Sequence, residues 1–71
     1  MIRKGTKVEW NWGEGTAKGE VVESFTSKVT KTIKGTEITR NGEEGNKALY
    51  IKQKDGDYVL KSESEVTRID S

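Results

Sequence analysis

The chain contains no cysteine, no histidine and no proline. Without thiols there is no disulfide framework, and without thiolate or imidazole most zinc sites are excluded. The lack of imidazole also removes the common general base at neutral pH, and with it the histidine-dependent triads. No apolar run is long enough for a signal peptide or a membrane span, and the start, "MIRKGTKVEW", is strongly polar. The expectation is a cytoplasmic protein with no membrane partner, no metal and no cofactor. Carboxylates such as Asp55 and Asp57 flank a turn glycine, where aspartate serves local hydrogen bonding, and "DGD" lacks the other ligand positions of a calcium loop. No catalytic constellation is present, so an enzyme is not expected.

What the chain does have is charge and β-branched residues. Charged residues make up 35% and hydrophobic residues 30% of 71 positions, with a net charge of only +1. A chain of this length forms one domain, expected over 1–71, and buries only about 60% of its unfolded surface. A thin core under a charged skin follows.

The spacing predicts strands. In "TKVEWNW", Val8, Trp10 and Trp12 alternate with Lys7, Glu9 and Asn11, the period of a half-buried strand. In "TAKGEVVESF", simple alternation places Ala17, Gly19, Val21, Glu23 and Phe25 on one face and Lys18, Glu20, Val22 and Ser24 on the other. Gly19 suits a sharp bend or bulge in a curving strand. "ALYIKQ" gives a third strand, with Leu49 and Ile51 opposite Tyr50. A two-residue Asp55-Gly56 turn leads to a fourth, "YVLKS". "SESE" fits one helical turn before a last strand, "VTRI".

Between Phe25 and Ala48, an extra strand is expected near Val29 to Ile33, followed by a loop carrying Gly35, Asn41-Gly42 and Gly45. Five short strands with a bent second one indicate an all-β, SH3-like barrel with a long insertion between strands two and three. The predicted core is Val8, Trp10, Val21, Leu49, Ile51, Leu60 and Val66, with Phe25 and Ile69 added at its margin.

The glycines of "GEGTAKG" invite comparison with a phosphate loop. Such a loop needs a helix N-terminus behind it, and "EVVESF" reads as strand. The spacing is one residue away from the dinucleotide fingerprint, and no Lys-Ser/Thr pair directly follows the last glycine, as a Walker-type loop needs. This is a hairpin turn.

Three segments in order, "KGTKVEWNWGEGTAKGEVVE", "TIKGTEITRNG" and "KDGDYVLKSESEV", resemble the hypervirulence-associated Tudor-domain family from Arg3 to about Ile69. The resemblance implies a Tudor-like, SH3-type barrel and a binding role, but no specific ligand. Members often carry histidine in the segment matching "KSESEV"; this chain has Glu63, so no imidazole function transfers there.

Tudor domains commonly bind methylated lysine or arginine in an aromatic cage, in which ring faces attract a desolvated cation. Of the five aromatics, Trp10 belongs with Val8 in the core, while Trp12 sits where the strand gives way to glycines. Trp12, Tyr58, Tyr50 and Asp57 are the candidate ligand-binding residues, against the alternative that the tyrosines only cover the sheet. A second candidate is the basic segment of Lys28, Lys31, Lys34 and Arg40, opposed between Thr26 and Arg40 by Glu37 alone. It suits phosphates, yet the sequence pI of about 7.9 falls short of the value above about 9 usual for nucleic-acid domains. The expected function is a monomeric, non-enzymatic module recognising a protein or peptide, with weak nucleic-acid binding as the alternative.

Overall fold

Val8 and Trp10 anchor a strand, β1 (Lys7–Trp12), that folds back on a much longer one, β2 (Gly15–Phe25). Trp12 pairs with Gly15 across a two-residue turn, and Gly13 at its first position has φ +55°. A positive φ there is what a II′ hairpin turn demands. In the computed structural model, which describes residues 2–69, five further strands follow. They are β3 (Lys28–Ile33), β4 (Thr36–Asn41), β5 (Ala48–Gln53), β6 (Tyr58–Ser62) and β7 (Thr67–Arg68), with a 3-10 turn at Glu63–Glu65 before the last. The fold is all-β: a five-stranded sheet in the order β6-β5-β2-β1-β7, and a separate two-stranded hairpin, β3-β4.

The long β2 serves two partners, β1 along its first half and β5 from Gly19 onward. Gly19 is required by close packing: a Cβ there would lie 2.5 Å from Ile51 Cγ2 and 2.7 Å from the Lys52 carbonyl oxygen. The irregularity expected at Gly19 instead falls between Val21 and Glu23, where Val22 is the extra residue. This bulge corrects the predicted alternation. Val21 pairs with Ile51, but Glu23 pairs with Tyr50 and Phe25 with Ala48, so Glu23 and Phe25 lie on the face opposite Val21.

The two faces of the sheet therefore have separate cores. On the inner face Val8, Trp10, Val21, Leu49 and Ile51 are buried together with Ile2, and Ala17, Val59 and Val66 pack against them. Ile2 precedes β1 and Val66 precedes β7, so the sheet is rolled around this cluster. The buried Thr6 ties the N-terminal segment down: its carbonyl accepts from Val21 N–H at 2.9 Å, and its hydroxyl from Arg3 N–H at 3.1 Å. On the outer face, cross-strand register groups Ala48, Tyr50, Tyr58 and Leu60. The β3-β4 hairpin lies against β6 on this side.

Several expectations change here. Leu60 is buried as predicted, but in the outer layer. Phe25 is half-buried on the outer face, and Ile69 is 40% exposed, so neither belongs to the inner core. Ile2 and Ala48 are buried without having been singled out, the first because a terminal residue has no periodic context. The segment predicted as a loop after Ile33 is strand β4 from Thr36 to Asn41. Lys34 (φ +52°) and Gly35 (φ +79°) form its two-residue turn, and paired positive φ values define type I′. Asn41-Gly42 is no turn: a Cβ at Gly42 would meet the Phe25 carbonyl oxygen and, at 2.9 Å, that of Ser27. The β5-β6 connection is one residue longer than predicted. Gln53 N–H donates to the Asp57 carbonyl at 2.7 Å around Lys54-Asp55-Gly56, with Gly56 at φ +94°.

Candidate functional site

The β3-β4 hairpin alternates strictly. Val29, Lys31, Ile33, Ile38 and Arg40 are half-buried, whereas Lys28, Thr30, Thr32, Glu37 and Thr39 are exposed. Two β-branched partners of the exposed row, Thr30 and Thr39, join hydroxyls at 2.8 Å. The half-buried row includes two cations, an uncommon choice for a covered face. Both find acids. Lys31 Nζ lies 3.6 Å from Glu23 Oε1, and Arg40 Nε donates to Glu65 Oε1 at 3.1 Å. Lys34, in the turn, reaches Asp57 Oδ2 at 2.9 Å. The hairpin is thus pinned at three points: to β2, to the β5-β6 loop and to the 3-10 turn. Of the predicted basic segment, Lys28 alone makes no ion pair among the described residues.

Lys31 has a further environment. Its ammonium stands 4.8 Å from the Tyr50 ring centroid and 5.3 Å from that of Phe25. Both are within the roughly 6 Å over which a ring face attracts a cation. Tyr50 in turn stacks on Tyr58, with centroids 4.9 Å apart and planes 16° from parallel. Two ring faces, a carboxylate and a supporting third ring thus form a seat for one positive charge. The Val22 bulge creates it, because only the shifted register brings Glu23 and Phe25 to the face that carries Tyr50. Periodicity could not reveal this; a bulge leaves no composition signal beyond two adjacent valines.

Tyr50 and Tyr58 thus come together, whereas Asp57 instead holds Lys34 at the hairpin turn and Trp12 does not join them. Trp12 is 71% exposed at the tip of the β1-β2 hairpin, on the face of Val8 and Trp10, with β2 and β5 between its strand and β6. Phe25 and Glu23 are the members of the ring cluster that sequence reasoning did not assign to a site; Lys31 comes from the predicted basic segment.

Electrostatics at the pins follows from these contacts. The hydrogen bond to Asp57 and its charge hold the Lys34 ammonium above the ordinary lysine range. For Glu65, partial burial pushes the carboxyl up, but Ser62 N–H at 2.8 Å and the Arg40 guanidinium outweigh it and hold the group below its usual value. A carboxylate with a depressed folded-state pKa stabilises the fold above its unfolded pKa, and this is lost as pH falls through the folded one. The hairpin's pin at Glu65 is therefore acid-labile. Arg40→Gln is expected to move the Glu65 midpoint upward in a carbon-13 carboxyl titration; an unchanged midpoint would mean the guanidinium contributes nothing there.

The family model described as hypervirulence associated proteins TUDOR domain matches residues 5–66. The chain belongs to that family. No curated protein and no solved structure matches it. The Tudor-type domain is typically a non-catalytic binding fold, and the match spans β1 to β6 and ends just before β7. No helix among the described residues of this Tudor domain is long and apolar enough to cross a membrane.

Proposed function

We propose that this Tudor domain is a non-enzymatic module that binds a cationic side chain on a partner protein or peptide, at the seat formed by Phe25, Tyr50, Tyr58 and Glu23. The observation that carries this reading is the placement of Lys31, which already fills the seat with an ammonium group from the same chain. The domain therefore contains its own competitor. A ligand's lysine, arginine or methylated amine must displace Lys31.

The strength of that competition follows from its parts. A partly exposed cation–π contact contributes about 0.5–2 kcal/mol, and a surface ion pair about 0–1 kcal/mol. A total near 1.4 kcal/mol lowers apparent affinity about tenfold. Lys31→Ala is accordingly expected to bind a short peptide carrying one trimethyllysine about tenfold more tightly than the unaltered protein. Binding is read from amide shifts of Glu23, Phe25 and Tyr50. The same peptide with the neutral isostere, a tert-butyl group in place of the trimethylammonium, keeps the shape and loses the charge, and should not bind. Tyr50→Ala should abolish binding, and Trp12→Ala should leave it unchanged. If the emptied seat of a folded Lys31→Ala protein takes no cation, the Lys31 contact is only an internal staple and the proposal fails.

The nucleic-acid alternative loses support from the ion pairs of Lys31, Lys34 and Arg40. Phosphates would have to compete with an intramolecular carboxylate at each of them.

A further inference from the structure

The outer face of the sheet is covered unequally. Over β5 and β6 the basic β3-β4 hairpin meets acids at Glu23, Asp57 and Glu65. Over β1, β2 and the start of the β5-β6 loop the same face is open. It forms a groove of about 590 Å³ lined by Lys7, Lys18, Lys52 and Lys54, with Glu20 as the one carboxylate. Lys7, Glu20 and Lys52 stand in one cross-strand row. Lys7 engages Glu20 at 3.3 Å, which leaves Lys18, Lys52 and Lys54 without an ion pair among the described residues. In a chain of net charge +1, this is a local concentration of positive charge.

The groove is not only electrostatic. Val22, the residue extruded by the bulge, and the exposed Ile69 contribute apolar surface, and the lysine stems extend it. Ile69 is fixed in place by its N–H, which donates to the Lys7 carbonyl at 3.0 Å. A second hollow of about 300 Å³ shares Lys18, Gln53 and Lys54 and adds the carboxylate of Asp55, so the furrow continues between the β1-β2 hairpin and the β5-β6 loop with four lysines against two acids along its length.

We infer that this furrow binds an extended, acidic peptide segment of a partner protein, with an aliphatic side chain between Val22 and Ile69 and carboxylates on Lys18, Lys52 and Lys54. Charge complementarity selects the occupant. The covered half of the face presents acids and holds a basic hairpin; the open half presents bases and fits an acidic strand. Nucleic acid is disfavoured because the lining offers no aromatic ring for base stacking and no arginine fork for phosphate. This site is separate from the ring seat and stands without it.

The test uses the isotope-labelled chain and three probes at physiological salt: a short peptide alternating glutamate and leucine, polyglutamate of equal length, and oligothymidylate. The glutamate-leucine peptide is expected to shift the amides of Gly19, Glu20, Val22, Lys52 and Ile69 saturably. Reversing two charges, Lys52→Glu with Lys54→Glu, should weaken it more than about tenfold, since like charges across an interface are costly. Ile69→Ser should weaken the glutamate-leucine peptide and not polyglutamate, while Lys31→Ala changes neither. Lys52, Lys54 and Ile69 are all exposed, so these variants keep the fold. Three results would each overturn the inference: no saturable shift at these amides, equal binding of polyglutamate and the mixed peptide, or tighter binding of oligothymidylate.

Discussion

Trp10→Ala is expected to cost about 3–5 kcal/mol, the range for truncating a buried large aromatic, whereas Trp12→Ala should stay within about 0.5 kcal/mol, as for an exposed residue without partners. The two tryptophans are two positions apart on one strand and point to one face. Trp10 is 4% exposed among Val8, Val21, Leu49 and Ile51; Trp12 is 71% exposed, past the end of that cluster. A domain of this length is stable by roughly 4–11 kcal/mol, so the first substitution leaves a chain near its folding threshold. Thermal melting followed by circular dichroism separates the outcomes. A Trp12→Ala protein that melts as early as Trp10→Ala would mean that the hairpin tip folds into the core.

The second large effect is expected at Gly19. Alanine there places a methyl group against Ile51 Cγ2 at 2.5 Å and against the Lys52 backbone oxygen at 2.7 Å. The side-chain methyl can rotate away, but the carbonyl belongs to the β2-β5 ladder and can retreat only by parting the strands. Overpacking of this kind costs about 1–3 kcal/mol, and each kcal/mol lowers the melting temperature of a small domain by about 4–8 °C. Gly15→Ala is the control, since its Cβ would meet nothing within 4 Å and its φ is not positive. Equal melting of the two variants would show that β2 and β5 are not packed as closely at Gly19 as described.

Much of the inner face was legible because its strands alternate without interruption. Val8, Trp10, Leu49 and Ile51 needed only a period of two, and the glycines after Trp12 marked the end of β1. The outer face was not legible in the same way. Counting by twos along β2 fails after Val21, because Val22 occupies no place in the ladder and every later residue changes sides. Glu23 and Phe25 consequently looked like inner-face residues, and their meeting with Tyr50 was hidden. The second strand of the hairpin was missed for a different reason. Lys34-Gly35 is a weak turn signal beside Asn41-Gly42, yet the chain reverses at the first and runs straight into the second. Gly42 is there because two backbones approach closely, and proximity of that kind belongs to the assembled structure.

Local chemistry alone determined that this chain is all-β, that Val8, Trp10, Val21, Leu49 and Ile51 fill the inner core and where Gly13 turns the first hairpin, since strand alternation and turn preference act between neighbours. Tertiary structure decided what the surface charges do. Lys31, Lys34 and Arg40 form one basic run in the sequence, yet the hairpin delivers each to a carboxylate far along the chain, and Lys31 to two aromatic rings as well. Lys7, Lys18, Lys52 and Lys54 are scattered in the sequence, and pairing of β1, β2 and β5 collects them around one furrow. Charge acts through space, so its partners are set by the fold.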